Sequence, residues 1–226
     1  MTYFTSATFD FLRDLAAHND RAWFEANRPR YREHVLAPAV RFILDFGPRL
    51  RRISPHFRAD PRPTGGSLFR IHRDTRFSKD KSPYKTHIGV QFRHEAATDV
   101  HAPGFYLHIE PENVFAAVGL WRPDAAALQR VRQAIVANPE SWRQVLDDAR
   151  FARTFALRGE VLSRAPRGYD AGHALIGDIR RKEFVAVAAI PPKIAGSPEI
   201  VARYAEVCRA GSGLMRFLCG TLALEY

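Results

Sequence analysis

Between Thr86 and Trp121 the chain has three strand-like runs joined by short connections, the first two alternating apolar and polar residues, and this pattern restricts the fold more than any other feature. In the first run, Thr86 to His94, Ile88, Val90 and Phe92 would share one face, with His87, Gly89, Gln91 and Arg93 on the other. In the second, Phe105, Leu107 and Ile109 alternate with Tyr106, His108 and Glu110. Glu110 to Asn113 reads as a turn, and Val114 to Trp121 as the next strand. Leu68 to Arg73 adds an earlier strand. Consecutive strands with such short links cannot be wound in parallel, so an antiparallel meander is expected over 68–121.

Helical spacing governs the two ends. Phe9, Leu12, Leu15 and Ala16 predict a helix over Phe4 to Asn19, after which Asn19 and Asp20 offer the next cap. Arg21 to Ile53 predicts two helical pieces interrupted by Pro29, Pro38 and Pro48, and Ser54 to Ser67 a loop. Further on, Asp124 to Ala137 is helical, and Asn138 with Pro139 caps and opens another helix bearing Trp142, Val145, Leu146 and Ala149. Arg150 to Gly172 suggests a short hairpin around Arg158 to Glu160, Gly172 to Arg181 a short helix, and Phe184 to Ile190 a buried strand. Ser197 to Glu199 opens one last helix, with Ile200, Tyr204, Val207, Gly211, Leu214 and Leu218 on one seam. The expectation is a single α+β domain over 1–226: helical over 5–53, an antiparallel sheet over 68–121, and helices with minor strands over 124–222. At 46% hydrophobic, 226 residues can bury one sizeable core.

The N-terminus lacks the basic start and apolar stretch of a signal peptide, and no window approaches a membrane span, so a cytoplasmic protein is expected. Cys208 and Cys219, read on one helix about 16 Å apart at about 1.5 Å per residue, would be too distant for a disulfide.

Charge then singles out one stretch. The formal net charge is +10, which favours acidic partners, and 34 residues are Lys or Arg, of which only five are lysine. Three of those, Lys79, Lys81 and Lys85, fall within Arg70 to Lys85, beside Arg70, Arg73 and Arg76 and only two aspartates, Asp74 and Asp80. Arginine is a planar fork and lysine a hydrated point charge, and together they suit phosphate. Two readings are open: the aspartates are spent on internal pairs that fix a loop, or they orient cations whose excess takes a polyanionic ligand. On the second, Arg70, Arg73, Arg76, Lys79, Lys81 and Lys85 hold the anion, Asp74 and Asp80 orient them, and Tyr84 anchors the loop. His72, Tyr106, His108 and Glu110 are candidate proton donors and acceptors beside it.

Other chemistries find less support. There is no His-Glu-x-x-His or paired Cys-x-x-Cys, and His87, His94, His101 and His108 are spaced by seven, which reverses a strand face at each step. No metal is assigned and no cofactor is indicated; His72, His87 and His108 would converge only under a suitable strand pairing. There is no nucleophile elbow, and Gly65-Gly66-Ser67 precedes a strand where a phosphate loop needs a helix. Sequence-tolerant nucleic acid binding remains as an alternative, because Phe77, Tyr84, Tyr106 and Trp121 lie among cations. A purely structural or interaction domain is a third. Oligomeric state is not legible.

The stretch also carries the pattern Arg-x-x-Arg-Asp-x-Arg-Phe-x-x-Asp/Asn-Lys-x-x-Tyr, met by Arg70, Arg73, Asp74, Arg76, Phe77, Asp80, Lys81 and Tyr84. In this the chain resembles an uncharacterised bacterial and fungal family of unknown function. Similarity extends to Asn19 to Phe24, Tyr106 to Pro111, Gly119 to Pro123, Ala165 to Tyr169 and Arg181 to Phe184. The resemblance implies no reaction, cofactor or partner.

Overall fold

The structure, a computed structural model, describes residues 2–97 and 101–226. Its described residues form a six-stranded, wholly antiparallel sheet of β1 (Phe57–Arg58), β2 (Ile88–His94), β3 (Gly104–Glu110), β4 (Asn113–Leu120), β5 (Ala156–Arg158) and β6 (Phe184–Ala189), in the order β1-β2-β3-β4-β6-β5. The meander β2-β3-β4 is the one the three runs predict. Pro111 and Glu112 make its tight turn, with Glu112 at φ 64° and Glu110 opposite Asn113.

One face of the sheet is apolar because period 2 places Val90, Phe92, Phe105, Leu107, Ala116 and Val118 on it, and all are buried. Helices α4 (Ala37–Ile53), α10 (Ile200–Ala210) and α11 (Ser212–Thr221) cover this face. Phe46 meets Phe92 at 4.8 Å between ring centroids and Tyr204 at 4.8 Å, so helix and sheet share one continuous core. The fold is α+β. No helix among the described residues is long and apolar enough to cross a membrane.

Local chemistry sets several helix starts. Asp20 accepts from Trp23 N–H at the head of α2 (Arg21–Ala26), Asp124 from Ala127 N–H at α5 (Ala125–Ala137), and Asn138 from Ser141 N–H at α6 (Pro139–Asp147). The first helix, α1, spans Ser6–Ala17.

Several expectations are corrected. Pro48 does not end a helix but lies inside α4, where the buried stripe Ala39, Phe42, Ile43, Phe46 and Leu50 outweighs one missing hydrogen bond. Leu44, whose carbonyl loses that partner, is on the exposed side. Arg21 to Tyr31 forms α2 and α3 (Arg28–Tyr31), and a π-helical turn, Arg32–Leu36, joins them to α4. The loop before Leu68 contains β1, which pairs with the end of β2. Leu68 to Arg73 is not a regular strand; Leu68 and His72 make isolated bridges to Val90 and Tyr84. Around Arg158 there is no local hairpin, because β5 pairs with β6, and Val161 with Arg181. The last helix is two, broken at Gly211, whose Cβ would come within 2.7 Å of the Val118 side chain; close approach to the sheet needs a glycine there. Cys208 and Cys219 therefore sit on different helices, both free and buried. Burial pushes the Cys219 thiol up to about 12.

Candidate functional site

The basic stretch closes on itself as an irregular hairpin. Lys85 N–H donates to the Ile71 carbonyl and Arg73 N–H to the Pro83 carbonyl, each at about 2.8 to 2.9 Å, with His72 opposite Tyr84. Residues 74–82 are thus its tip, at the end of the sheet edge.

Tyr84 fixes the hairpin to the N-terminal helices. It is 3% exposed and stacks on Phe24 of α2 at 4.1 Å and 19°. Asn19 clamps its backbone from both sides: Asn19 Nδ2 donates to the Tyr84 carbonyl and Tyr84 N–H donates to Asn19 Oδ1, both at 3.0 Å. Such a ring pair contributes about 1 kcal/mol beyond the area it buries.

Both aspartates at the tip are used internally. Asp74 takes two hydrogen bonds from the Arg76 guanidinium, at 3.0 and 2.7 Å, and this holds its carboxyl down at about 2. Asp80 accepts from the Ser82 hydroxyl at 2.6 Å and from Arg73, which lowers its carboxyl well below the usual range. The lysines do something different. Lys81 Nζ donates to the Thr75 carbonyl at 2.9 Å, and Lys85 Nζ to the carbonyls of Arg70 and His72 at 2.6 and 2.8 Å. A neutral carbonyl holds an ammonium in place without cancelling its charge. The side chains of Arg70 and Lys79 make no hydrogen bond or ion pair among the described residues, and both residues are exposed. Burial, and then the charges of Arg70 and Arg73, lower the Lys85 ammonium.

On the sheet face away from the helices, the register of β2 and β3 builds a second group. Gly89 lies opposite His108, and Ile88 opposite Ile109, which sets His87 beside Glu110. The His87 and His108 rings stack at 4.4 Å, and Phe115 of β4 closes on the other side of His108 at 4.5 Å. A hydrogen-bonded row runs along β3: Tyr106 hydroxyl to His108 Nδ1 at 3.0 Å, and His108 Nε2 to Glu110 Oε2 at 3.2 Å. Asn113 Nδ2 donates to the same Glu110 oxygen at 3.1 Å, and Thr86 Oγ1 to the other at 3.4 Å. With Glu110 ionised, Nε2 carries the proton and Nδ1 accepts from Tyr106.

Burial dominates the electrostatics of this row. It raises the Tyr106 hydroxyl, with Glu110 adding to the effect, and it lowers His108 even against the Glu110 hydrogen bond. His87 falls to about 4, from burial first and then from His108, Lys85 and Arg73. For Glu110 burial acts upward, but the His108 and Asn113 hydrogen bonds outweigh it and the carboxyl ends below its ordinary value. Gly89 makes room for a cover: its Cβ would lie 2.8 Å from the Phe69 ring and 2.9 Å from the Tyr106 hydroxyl.

The structure therefore brings together Tyr106, His108 and Glu110, with Lys85 and Arg73 near enough to perturb His87. His72 does not join them; its ring packs against Tyr84 at 5.2 Å and Phe24 at 6.3 Å. His87, which the sequence offered only conditionally, does join. The signal for it was parity: it shares the polar alternation of β2, but only the register puts that face beside His108.

No match is found among curated proteins or among solved structures. A family model described as "Conserved hypothetical protein (DUF2461)" matches residues 7–217, which takes in both helical ends, the basic hairpin and the sheet; the chain belongs to that family.

Proposed function

We propose that the protein binds a phosphate-bearing or otherwise polyanionic small molecule at the corner where the basic hairpin meets the polar sheet face, with any turnover at the row Tyr106, His108 and Glu110. The observation that carries this reading is the way the cations are partnered. Asp74 and Asp80 pair with Arg76 and Arg73, whereas Lys81 and Lys85 rest on backbone carbonyls, and the side chains of Arg70 and Lys79 make no hydrogen bond or ion pair among the described residues. Four positive charges thus stay uncompensated by carboxylates within one hairpin. An anion offers them what the protein withholds, and the paired arginines stiffen the loop that presents them. Two free, buried cysteines suit a reducing, cytoplasmic setting.

Arg70 and Lys79 make the cleanest probes, since neither supports the loop. In the Arg70→Ala/Lys79→Ala variant the melting temperature should match the parent, while stabilisation by millimolar pyrophosphate or a nucleoside diphosphate drops at least tenfold in apparent affinity. A parent protein that no such anion stabilises at low salt overturns the reading.

One observation favours nucleic acid as a second reading. Phe77 is 96% exposed at the hairpin tip, with the Arg76 guanidinium 5.8 Å from its ring centroid, as a platform for an unpaired base would be. Single-stranded oligonucleotide should then bind with affinity that falls steeply with salt and is weakened by Phe77→Ala. Pyrophosphate binding that ignores Phe77→Ala decides for the small molecule.

A further inference from the structure

We infer that His87, His108 and Glu110 form a binding site for one divalent transition-metal ion of the zinc type on the polar face of the sheet. One ligand atom from each of the three lies within 4.8 Å of the others. His108 Nε2 and Glu110 Oε2 are already 3.2 Å apart, close to the separation of about 3.4 Å that two ligands have on a tetrahedral zinc with bonds of about 2.1 Å. The third ligand would come from the His87 ring, which stacks on His108 at 4.4 Å between centroids.

Two features distinguish this cluster from a histidine that has merely found a carboxylate. The first is support around the ligands. Tyr106 stands at His108 Nδ1, so the ring can turn its proton toward the Tyr106 oxygen and leave the Nε2 lone pair for a metal. Thr86 and Asn113 orient the Glu110 carboxylate, and Phe115 sets the plane of the His108 ring. The second is the donor set. Two imidazoles and one carboxylate on one side of a centre suit zinc, cobalt or ferrous iron, and three protein ligands leave a coordination position open.

The neighbouring cations bear on what fills that position. Lys85 and Arg73 disfavour a bare dication, and the Glu110 charge offsets part of this. An anionic ligand on the open position would lower the charge of the whole group, and Lys85 and Arg73 are near enough to act on His87. The metal site does not depend on the anion reading, since its three ligands come from the sheet.

Titration of zinc or cobalt(II) into chelator-treated, tag-free protein without any anion tests it. The expected result is one ion bound per chain, with visible cobalt absorption of four- or five-coordinate intensity. Affinity should fall at least tenfold in His87→Ala and in Glu110→Gln, and less in Tyr106→Phe. His56→Ala, at the His56–Glu95 pair on the far end of β2, should bind as the parent does. Because His108 is buried, His108→Ala counts only where its circular dichroism is unchanged; His87→Ala and Glu110→Gln carry the test otherwise. No binding, or binding that none of these substitutions weakens, overturns the inference. Pyrophosphate titration of the parent in chelator reports on the anion separately, so failure of either proposal is visible without the other.

Discussion

At the hairpin tip, Arg76 and Asp74 are paired at 2.7 Å with side chains 77% and 41% exposed; on the sheet face, His108 and Glu110 are paired at 3.2 Å with side chains only 10% and 31% exposed. The same kind of contact does different work in the two places. In water the tip pair is screened and easily remade, so its role is to shape a loop and present charge. On the face, burial moves the titration of Tyr106, His108 and His87, and the positions are set by strand register. On the proposed reading, charge gathered at the tip would give attraction and speed of encounter, while the face would give geometry. A ligand that uses both would have its charged end at the hairpin and its reacting end over β3.

The largest effect that would disturb this division is loss of the joint that holds the hairpin to α2. Tyr84→Ala removes the stack on Phe24 and leaves a void under the hairpin, and should cost about 3 kcal/mol of stability, read by urea denaturation. A cost near zero would mean that the hairpin is not held by α2. A smaller effect, confined to the face, comes from His87. It faces His108, Glu110, Lys85 and Arg73, and its folded value near 4 lies below the ordinary 6.5. The unfolded chain therefore takes up the proton first, and the stability this neutral ring contributes is complete above about pH 6.5 and lost as pH falls toward 4. The urea midpoint of the parent should drop faster over that window than the midpoint of His87→Gln; parallel curves would show an exposed ring. The smallest effect belongs to the tip. Asp74→Asn should leave the melting temperature within the scatter between preparations, because the pair it breaks is exposed. A clear loss would move the tip into the structural class of the face.

Much of this arrangement was legible before any coordinates, and the boundary has physical causes. Alternation gave β2 and β3, the apolar run after the Glu110 to Asn113 turn gave β4, and the caps Asp20, Asp124 and Asn138 mark helix starts by their own side-chain chemistry. Features decided by distant partners did not show. Phe57 and Arg58 form β1 only because His94 and Arg93 lie across from them, and β5 reaches past its own neighbours to β6. Gly211 interrupts what reads as one helix at the point where Val118 stands against it. In the site, the residues of the β3 row share one strand and were visible as a set. His87 comes from the next strand, and the regular spacing of seven among the histidines argued against the meeting that the register makes. His72 went the other way, drawn from the polar group to the rings of Tyr84 and Phe24.

The central claim is that the hairpin holds positive charge which the protein itself does not neutralise. Amide chemical-shift mapping of pyrophosphate binding at low ionic strength addresses it most directly. The account predicts saturable shifts concentrated over residues 70–87, lost in Arg70→Ala/Lys79→Ala. Shifts spread evenly over the basic surface, or none at all, would contradict it.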